Sequence, residues 1–226
     1  MPNTRIEDTL IRGYRQLALA TPGRQRDTLL RVLDLVLSAF FLVVLLPVSL
    51  LIAVLVVVTS GTPILYRGER VGRGGRIFTM YKFRTLRLGA EQRLGAHLGE
   101  ELVQRTQTEF TPIGRWLKAT QLDEVPQFVN VVRGDMSLVG PRPIRPVFFE
   151  QLAVELPAYW QRLVVRPGLT GFAQVRRGYE TSMAEKLAHD LEWIADRSVQ
   201  LYLRTVAATA WRVLRQSLRG IVRPDA

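Results

Sequence analysis

Two kinds of hydrophobic pattern divide the chain. The stretch LLRVLDLVLSAFFLVVLLPVSLLIAVLVVVTSG, residues 29–61, is almost wholly apolar from Val32 to Val58. About 20 apolar residues suffice to cross a hydrocarbon core of ~30 Å, so this run predicts a membrane-inserted helical segment. The run is too long for the apolar region of a secretory signal peptide, and no clear small-residue cleavage site follows it. A buried core helix of a soluble protein is the weaker alternative at this length.

The residues that flank and interrupt the run bear on its topology. Cytoplasmic flanks of membrane segments collect Lys and Arg, and both flanks of this run are basic, which a single crossing cannot satisfy. Pro47, near the middle, removes a backbone hydrogen bond and bends a helix. The pattern favours a re-entrant helix–break–helix over residues 28–60, with a kinked single span as the alternative. Asp34, near the entry, is expected to cap the helix, to snorkel or to pair with Arg31.

Beyond Gly61 the hydrophobic pattern changes to short alternating runs. The stretch TPILYRGERVGRGGRIFTMYKFRTL, residues 62–86, predicts two strands around a glycine turn at residues 72–75. Glycines interleaved with arginine can form an anion-binding nest, but such a run is more often a plain hairpin tip, and the spacing of a P-loop is absent. Strand alternation places Lys82 and Arg84 on one face, where two cations could hold a phosphate or form a solvated edge.

A second helical region follows the hairpin. Residues 87–118 are polar and helical in pattern, with a break at TPIG, and a further helix is expected to begin near Asp123, because Pro126 suits a first turn and Gly134 supplies a stop. As the first residue of that helix, Asp123 is a natural N-cap, which is a purely structural role. It would also place a carboxylate pair, Asp123 and Glu124, at the positive end of a helix dipole. The apolar positions with helical spacing are Val125, Val129 and Val132.

Two proline-punctuated segments and a long helix complete the chain. In GDMSLVGPRPIRP, Arg142 stands between two prolines, which restrict the backbone and suit the side chain to bidentate contact with phosphate. VVRPGLTGFAQV is a second such segment and carries Arg166. Residues 197–220 predict a basic amphipathic helix, which either lies in a membrane interface or packs on the globular core.

Composition narrows the function classes. The chain has 226 residues, a net charge of +11 and no cysteine, which excludes disulfides, zinc–thiolate sites and thiol nucleophiles. Its arginine excess suits phosphate-bearing partners, but aromatic residues are not interleaved with the basic runs and no groove-binding motif appears, so nucleic acid is not expected. His97 and His189 lack metal-ligand spacing and are expected to be incidental.

Three motifs together resemble the bacterial sugar transferases, the monotopic phosphoglycosyl transferases. They are GTPILYRGERVGRGGRIFTMYKFRTL, LDEVPQFVNVVRGDMSLVGPRP and VRPGLTGFAQV, in the order and spacing of that family. The resemblance covers residues 28 to about 215 and implies a minimal catalytic form. It implies an α+β, mainly helical, monotopic membrane protein with a basic extension over residues 1–27, a re-entrant hairpin broken at Pro47, and a cytoplasmic catalytic domain over residues 61–226 with a short β-hairpin and interfacial amphipathic helices.

The resemblance also implies a reaction. Such enzymes move a sugar-1-phosphate from an NDP-sugar, usually a UDP-sugar, onto polyprenyl phosphate (undecaprenyl phosphate) and release UMP, as the first membrane step of a glycoconjugate or exopolysaccharide pathway. By likeness to the family, Asp123 is expected to be the nucleophile and to lie close to Mg²⁺, with Glu124 as its acidic partner, in ping-pong kinetics. The phospholipid bilayer at the cytoplasmic face of the bacterial inner membrane is the expected location, and a homodimer is left open. The residues expected to bind substrate phosphates are Lys82, Arg84, Lys118, Arg142 and Arg166.

The chain departs from the family pattern at several positions. Lys118 stands where an arginine is common, which keeps the charge but loses the bidentate fork, and Gln121 replaces a serine before the LDE motif. Further departures are Leu46 before Pro47, Leu86, and residues 176–179. None touches the Asp–Glu pair, so activity is expected to survive while specificity differs. The rival hypotheses are an inactive membrane-tethered scaffold and a basic peripheral protein that binds anionic lipid or nucleic acid.

Overall fold

A computed structural model describes residues 26–95, 99–176 and 182–222 of the chain. The predicted N-terminal extension, residues 1–27, and His97 therefore lie almost wholly outside the described residues. The described elements alternate short helices with two pairs of strands, which confirms the prediction of a mainly helical α+β fold. The helices are α1 (Arg26–Val44), α2 (Leu46–Ser60), α3 (Ala90–Leu94), α4 (Gly99–Gln107), α5 (Gly114–Thr120), α6 (Gln127–Arg133), α7 (Pro146–Glu155), α8 (Phe172–Arg176), α9 (Met183–Asp196) and α10 (Val199–Val222); the strands are β1 (Leu65–Val71), β2 (Ile77–Phe83), β3 (Ser137–Val139) and β4 (Gly168–Thr170).

The long apolar run forms two helices. α1 and α2 meet at Leu45 with a bend of 60°, and Pro47 lies in the first turn of α2, where its missing N–H costs nothing. Among the described residues no single helix is long and apolar enough to span a membrane, whereas the bent pair passes that test as a unit.

One narrow face of this helical pair packs on the rest of the protein. α1 buries Leu30, Asp34 and Ser38, which lie four residues apart, and α2 buries Ile52 and Val56. The remaining faces leave large apolar side chains exposed, among them Phe40, Val43, Leu50, Leu51, Val54 and Val58. A helix that buries only one narrow face and exposes large apolar side chains on its other faces is unusual in water.

The predicted hairpin is present. β1 and β2 pair antiparallel from Leu65 opposite Phe83 to Val71 opposite Ile77. The turn between them is a 3₁₀ segment, Arg73–Gly75, in which Gly74 and Gly75 have positive φ values of 72° and 76°. A side chain would strain the backbone there, which explains the glycines.

The two proline-rich segments meet in a second, smaller sheet. β3 and β4 pair in parallel, with Ser137 opposite Gly168 and Val139 opposite Thr170. A Cβ added to Gly168 would lie 2.1 Å from the backbone nitrogen of Gly140, and one added to Gly140 would lie 2.5 Å from the Arg166 carbonyl oxygen. The glycines therefore let two backbones touch, and this contact fixes the start of the segment that carries Arg142.

The start of α6 corrects the sequence prediction. The Leu-Asp-Glu stretch forms a separate 3₁₀ turn, Leu122–Glu124, and α6 begins only at Gln127 with Pro126 as its N-cap. The Asp123 side chain caps neither element, so the N-cap interpretation was wrong. The predicted apolar face was also only partly right, because Val125 is buried while Val132 is exposed.

The C-terminal helix α10 packs on the globular part through one face, which was one of the two roles considered for it. Tyr202 and Thr205 are buried against the core, whereas Leu203, Trp211 and Leu214 are exposed on the other side. Packing on the globular part therefore accounts for one face of α10, and an apolar face remains on the surface.

Candidate active site

Two carboxylates and three cations converge at the end of β2. Lys82 Nζ lies 2.5 Å from Glu124 Oε1 and 3.9 Å from Asp123 Oδ2. Lys118 Nζ approaches the same Asp123 oxygen at 4.0 Å. Arg142 Nη2 lies 3.3 Å from Glu124 Oε1. The structure thus brings together three segments of the chain: the end of β2, the stretch from α5 to the Leu122–Glu124 turn, and the Pro-Arg-Pro segment.

Depth varies sharply across this cluster. Asp123 is 1% exposed, whereas the Lys118 side chain is 45% exposed. Asp123 Oδ1 is buried and accepts no hydrogen bond from any residue that the structure describes. Buried polar atoms are nearly always paired, so this oxygen marks a place where a further group is expected to bind.

The environment separates the pKa values of the neighbouring carboxyl groups. Burial raises the pKa of Asp123, and the nearby lysines only partly oppose it. Burial acts in the same direction on Glu124, but Lys82 and Arg142 outweigh it and lower the pKa of Glu124 to about 2. Burial also lowers the pKa of Lys82, against the effect of Glu124. Glu124 is therefore the fixed counter-charge of the cations, and Asp123 is the more basic carboxylate.

A hydrophobic cluster supports the site from below. Phe83, Leu117 and Val125, each next in sequence to a charged residue of the site, are buried together with Ile52 and Val56 of α2. The apolar hairpin thus contributes directly to the packing that holds the charged residues in place.

Asn130 is a positioning residue that the sequence analysis missed. It is fully buried, its Oδ1 accepts from the Tyr81 N–H at 3.0 Å, and its Nδ2 donates to the Thr79 carbonyl at 2.7 Å. These bonds attach α6 to the edge of β2 and so set Lys82 opposite Asp123. A polar residue flanked by valines on a helix was the signal that could have revealed it.

Arg162, also missed, holds the backbone of the Pro-Arg-Pro segment. Its Nη2 donates to the carbonyl oxygen of Arg142 at 2.9 Å, while Nε donates to Asp190 Oδ2 at 2.8 Å and Nη1 to the Tyr159 hydroxyl at 2.6 Å. Both Arg162 and Asp190 are buried. The ion pair of Arg162 with Asp190 therefore holds the backbone of Arg142 in place.

Arg84 lies apart from the carboxylates. Its guanidinium is buried and donates to the carbonyl oxygens of Ser60 and Gly61, both at 2.6 Å, and of Thr62 at 3.2 Å. These are orphan carbonyls at the C-terminal end of α2. In this structure Arg84 closes the end of the apolar hairpin, and Lys82 alone of the KFR motif reaches the carboxylates.

Arg166 also lies outside the cluster. Its Nε donates to the Gly134 carbonyl at 2.9 Å, next to Arg31, which donates to the carbonyls of Val131 and Val132 at 2.7 and 3.0 Å. Both guanidinium groups therefore complement the negative C-terminal end of α6. Burial and the neighbouring Arg31 lower the pKa of Arg166.

The carboxylate side chains of the site could serve as ligands of a divalent cation. Among the described residues no group of three or more His, Cys, Asp or Glu side chains could hold a metal. Mg²⁺ commonly binds through one or two carboxylates plus substrate phosphates and water. Asp123, with its unpaired Oδ1, and Glu124 therefore fit Mg²⁺ when a phosphorylated substrate supplies the remaining oxygens.

Chemically, the cluster suits attack on a phosphate. The cations can neutralise phosphate charge, and a desolvated carboxylate of raised pKa is a competent nucleophile. His189 lies on α9, where its Nδ1 is 3.4 Å from Glu192 Oε2.

Comparison with known proteins gives a consistent result. A family model described as bacterial sugar transferase matches residues 25–216. A UDP-N-acetylgalactosamine-undecaprenyl-phosphate N-acetylgalactosaminephosphotransferase of Aeromonas hydrophila is 34% identical over 202 residues, which cover 88% of this chain and 47% of the relative. UDP-glucose:undecaprenyl-phosphate glucose-1-phosphate transferases of Caulobacter vibrioides and Escherichia coli are 39% and 35% identical over 78% and 80% of this chain, and over 67% and 39% of their own lengths.

Proposed function

Since the chain belongs to the bacterial sugar transferase family, we propose that it transfers a sugar-1-phosphate from an NDP-sugar to polyprenyl phosphate. The observation that carries the proposal is the unpaired, buried oxygen of Asp123 among phosphate-binding cations. The names of the relatives support a UDP-sugar as donor and undecaprenyl phosphate as acceptor. The chain spans about half of the Aeromonas relative, so the donor and acceptor are assigned here by likeness of the shared region.

In the first step a carboxylate oxygen of Asp123 attacks the sugar-bearing phosphorus of the donor. A bond forms between this oxygen and phosphorus, and the bond from phosphorus to the bridging diphosphate oxygen breaks. The nucleoside monophosphate leaves with that electron pair, and the sugar-phosphate stays on Asp123 as an acyl phosphate. Lys118 and Arg142, the more exposed cations, screen the donor phosphates, while Lys82 holds Glu124 in place.

In the second step an oxygen of polyprenyl phosphate attacks the same phosphorus. The bond to Asp123 breaks, the carboxylate is restored, and a polyprenyl-diphosphate-linked sugar leaves. The nucleotide product can depart before the lipid binds, which gives ping-pong kinetics. Asp123 and Glu124 would hold Mg²⁺ with the donor phosphates; when bound, the ion would offset the charge that repels an incoming carboxylate.

The bent helices α1 and α2 support a monotopic arrangement in the membrane. Their exposed apolar faces suit lipid, and their buried faces attach them to the catalytic part. We propose that the pair enters one leaflet and returns, with the site on the cytoplasmic face, so that the acceptor reaches Asp123 without leaving the bilayer. Cysteines introduced at position 12 and position 70 should both be labelled from the cytoplasmic side; labelling from opposite sides would establish a true span.

The decisive experiment traps the enzyme between its two steps. Purified protein in nanodiscs is mixed with Mg²⁺ and a panel of UDP-sugars, without acceptor, and analysed by intact and peptide mass spectrometry. The expected result is a sugar-phosphate adduct on the peptide that contains Asp123, which disappears when undecaprenyl phosphate is added. Asp135→Asn, a nearby carboxylate outside the cluster, is the matched control and should retain the adduct. Nucleotide release with no adduct, or full turnover by Asp123→Asn, would refute the proposal.

A further inference from the structure

A buried polar stripe runs from the site along α6. Asp123, Gln127 and Asn130 are spaced by four and three residues, and they are 1%, 2% and 0% exposed. Val125 and Pro126 have right-handed helical dihedrals, so the backbone stays helical in conformation between the Leu122–Glu124 turn and α6. At this spacing the three side chains lie on one face of the helix, the face that Asp123 and Asn130 show to be turned toward β2.

The stripe changes character along its length. At its far end, Asn130 is fully paired with the backbone of β2. One turn closer to the site, Gln127 Nε2 is buried and donates no hydrogen bond within the described part of the chain. At the site itself, Asp123 Oδ1 is a buried acceptor in the same condition. The stripe thus contains an unpaired donor and an unpaired acceptor one turn apart. Packing alone explains this poorly, because a buried polar atom without a hydrogen-bond partner costs stability.

We propose that the side-chain amide of Gln127 binds a non-bridging phosphate oxygen of the donor, on the phosphoryl group that Asp123 accepts. This inference rests on the proposed function. Gln127 lies one helical turn from Asp123 on the same face. A phosphoryl group bonded to Asp123 could therefore direct one of its oxygens toward the Gln127 amide. The amide supplies a donor without a further positive charge beside Lys82, and such a fixed donor stabilises charge that develops on the phosphoryl oxygens in the transition state. No proton is transferred in this role.

The test replaces Gln127 by methionine, which has a similar length and no donor. The rate of adduct formation on Asp123, followed by rapid quench and mass spectrometry without acceptor, should fall by about 100-fold, as when a single oxyanion donor is removed. The melting temperature should not fall, because an unpaired buried amide is exchanged for an apolar group. Gln127→Glu should be slower still, since a carboxylate would face the phosphate. Gln121→Met, at a half-buried position just before the Leu122–Glu124 turn and outside the polar stripe, is the matched control and should leave the rate unchanged.

The outcomes separate the inference from the function on which it rests. If the wild-type protein forms no adduct with any UDP-sugar, the proposed function fails. If the wild type forms the adduct and Gln127→Met forms it equally fast, only the role of Gln127 is overturned. A rate loss that is matched by a fall in melting temperature would also overturn it, because it would show that Gln127 holds an internal water for structural reasons.

Discussion

Two aspartates of this protein are equally buried and differently used. Asp34 on α1 is 2% exposed, and its Oδ1 accepts hydrogen bonds from the Ser137 hydroxyl at 2.9 Å, the Leu138 N–H at 2.9 Å and the Tyr202 hydroxyl at 2.8 Å. Asp123 is 1% exposed, and the lysine nitrogens nearest to it lie at 3.9 and 4.0 Å. Asp34 Oδ1 thus accepts three hydrogen bonds from within the protein, whereas Asp123 Oδ1 accepts none from the described residues.

On the proposed function, the difference separates a structural carboxylate from a reactive one. Asp34 joins α1 to β3 and to α10, so it holds the apolar hairpin, the small sheet and the C-terminal helix together. Asp123 makes two lysine contacts near 4 Å, and its buried, unpaired Oδ1 carries a desolvation cost that a ligand could offset. Satisfaction of the buried oxygen atoms, rather than burial itself, therefore distinguishes the two roles.

The largest expected effect is on turnover at Asp123. Asp123→Asn should lower the rate of nucleotide release by at least ~10⁴-fold, because it removes the proposed nucleophile. Burial raises the pKa of Asp123 above its unfolded value, so its ionised form destabilises the fold at neutral pH, and the melting temperature should rise in the variant. Nucleotide release and differential scanning fluorimetry measure the two effects, and a variant that is both inactive and less stable would contradict the comparison.

The next effect is on stability at Asp34. Asp34→Ala should lower the free energy of unfolding by about 4 kcal/mol, because it leaves three buried donors without an acceptor. Tyr202→Phe, which removes one of the three donors and keeps the ring, should cost about 2 kcal/mol. Chemical denaturation in micelles measures both. The molecules that remain folded should keep their activity; a selective loss of turnover at unchanged stability would move Asp34 into the site.

A smaller effect is expected on pH dependence. Asp123 must be ionised to attack, and burial raises its pKa, so the acidic limb of the rate of adduct formation should lie above the ordinary aspartate value of about 3.9. Lys118 opposes that rise, and Lys118→Met should therefore move the limb to higher pH as well as lower the rate. Glu124, with its pKa lowered to about 2, should not contribute. A limb that stays in place in Lys118→Met would show that the titrating group is not Asp123.

The smallest expected effect concerns the backbone before Asp123. Gln121 has a φ of 58°, and it is the one described non-glycine residue with positive φ. Gln121→Gly should raise the free energy of unfolding by up to ~1 kcal/mol, because glycine adopts this conformation without strain. Its exposed amide contact with Gln216, at 3.2 Å, should contribute little. A fall in melting temperature would mean that this contact to α10 matters more than the strain.

Much of the outline was predictable from the sequence. The bent apolar pair, the β-hairpin, the glycine stop after α6 and the C-terminal helix each had a local signal, and the motifs identified the acidic pair with Lys82, Lys118 and Arg142. Asn130, Gln127 and Arg162 were missed, because hydrophobic periodicity marks apolar positions and does not by itself distinguish a buried polar residue from an exposed one.

The arginine excess shows another limit of sequence reasoning. Arg84 and Arg166 were expected on phosphates, but both donate to carbonyl oxygens at helix ends, as Arg31 also does. A net charge does not distinguish cations that face a ligand from cations that complete the backbone. Only the fold decides between these partners.

The cluster formed by Ile52 and Val56 with Phe83, Leu117 and Val125 gives the bent pair of helices α1 and α2 a part in the packing of the site, beyond the membrane insertion that we propose for it. Close-packed interiors transmit small displacements, so whatever tilts α2 is expected to shift the neighbours of Lys82, Lys118 and Glu124 together. We therefore expect bilayer thickness, lateral pressure or the choice of detergent to change the turnover rate. A variant truncated before Gly61 would lose Ile52 and Val56, which pack against the neighbours of the charged site residues.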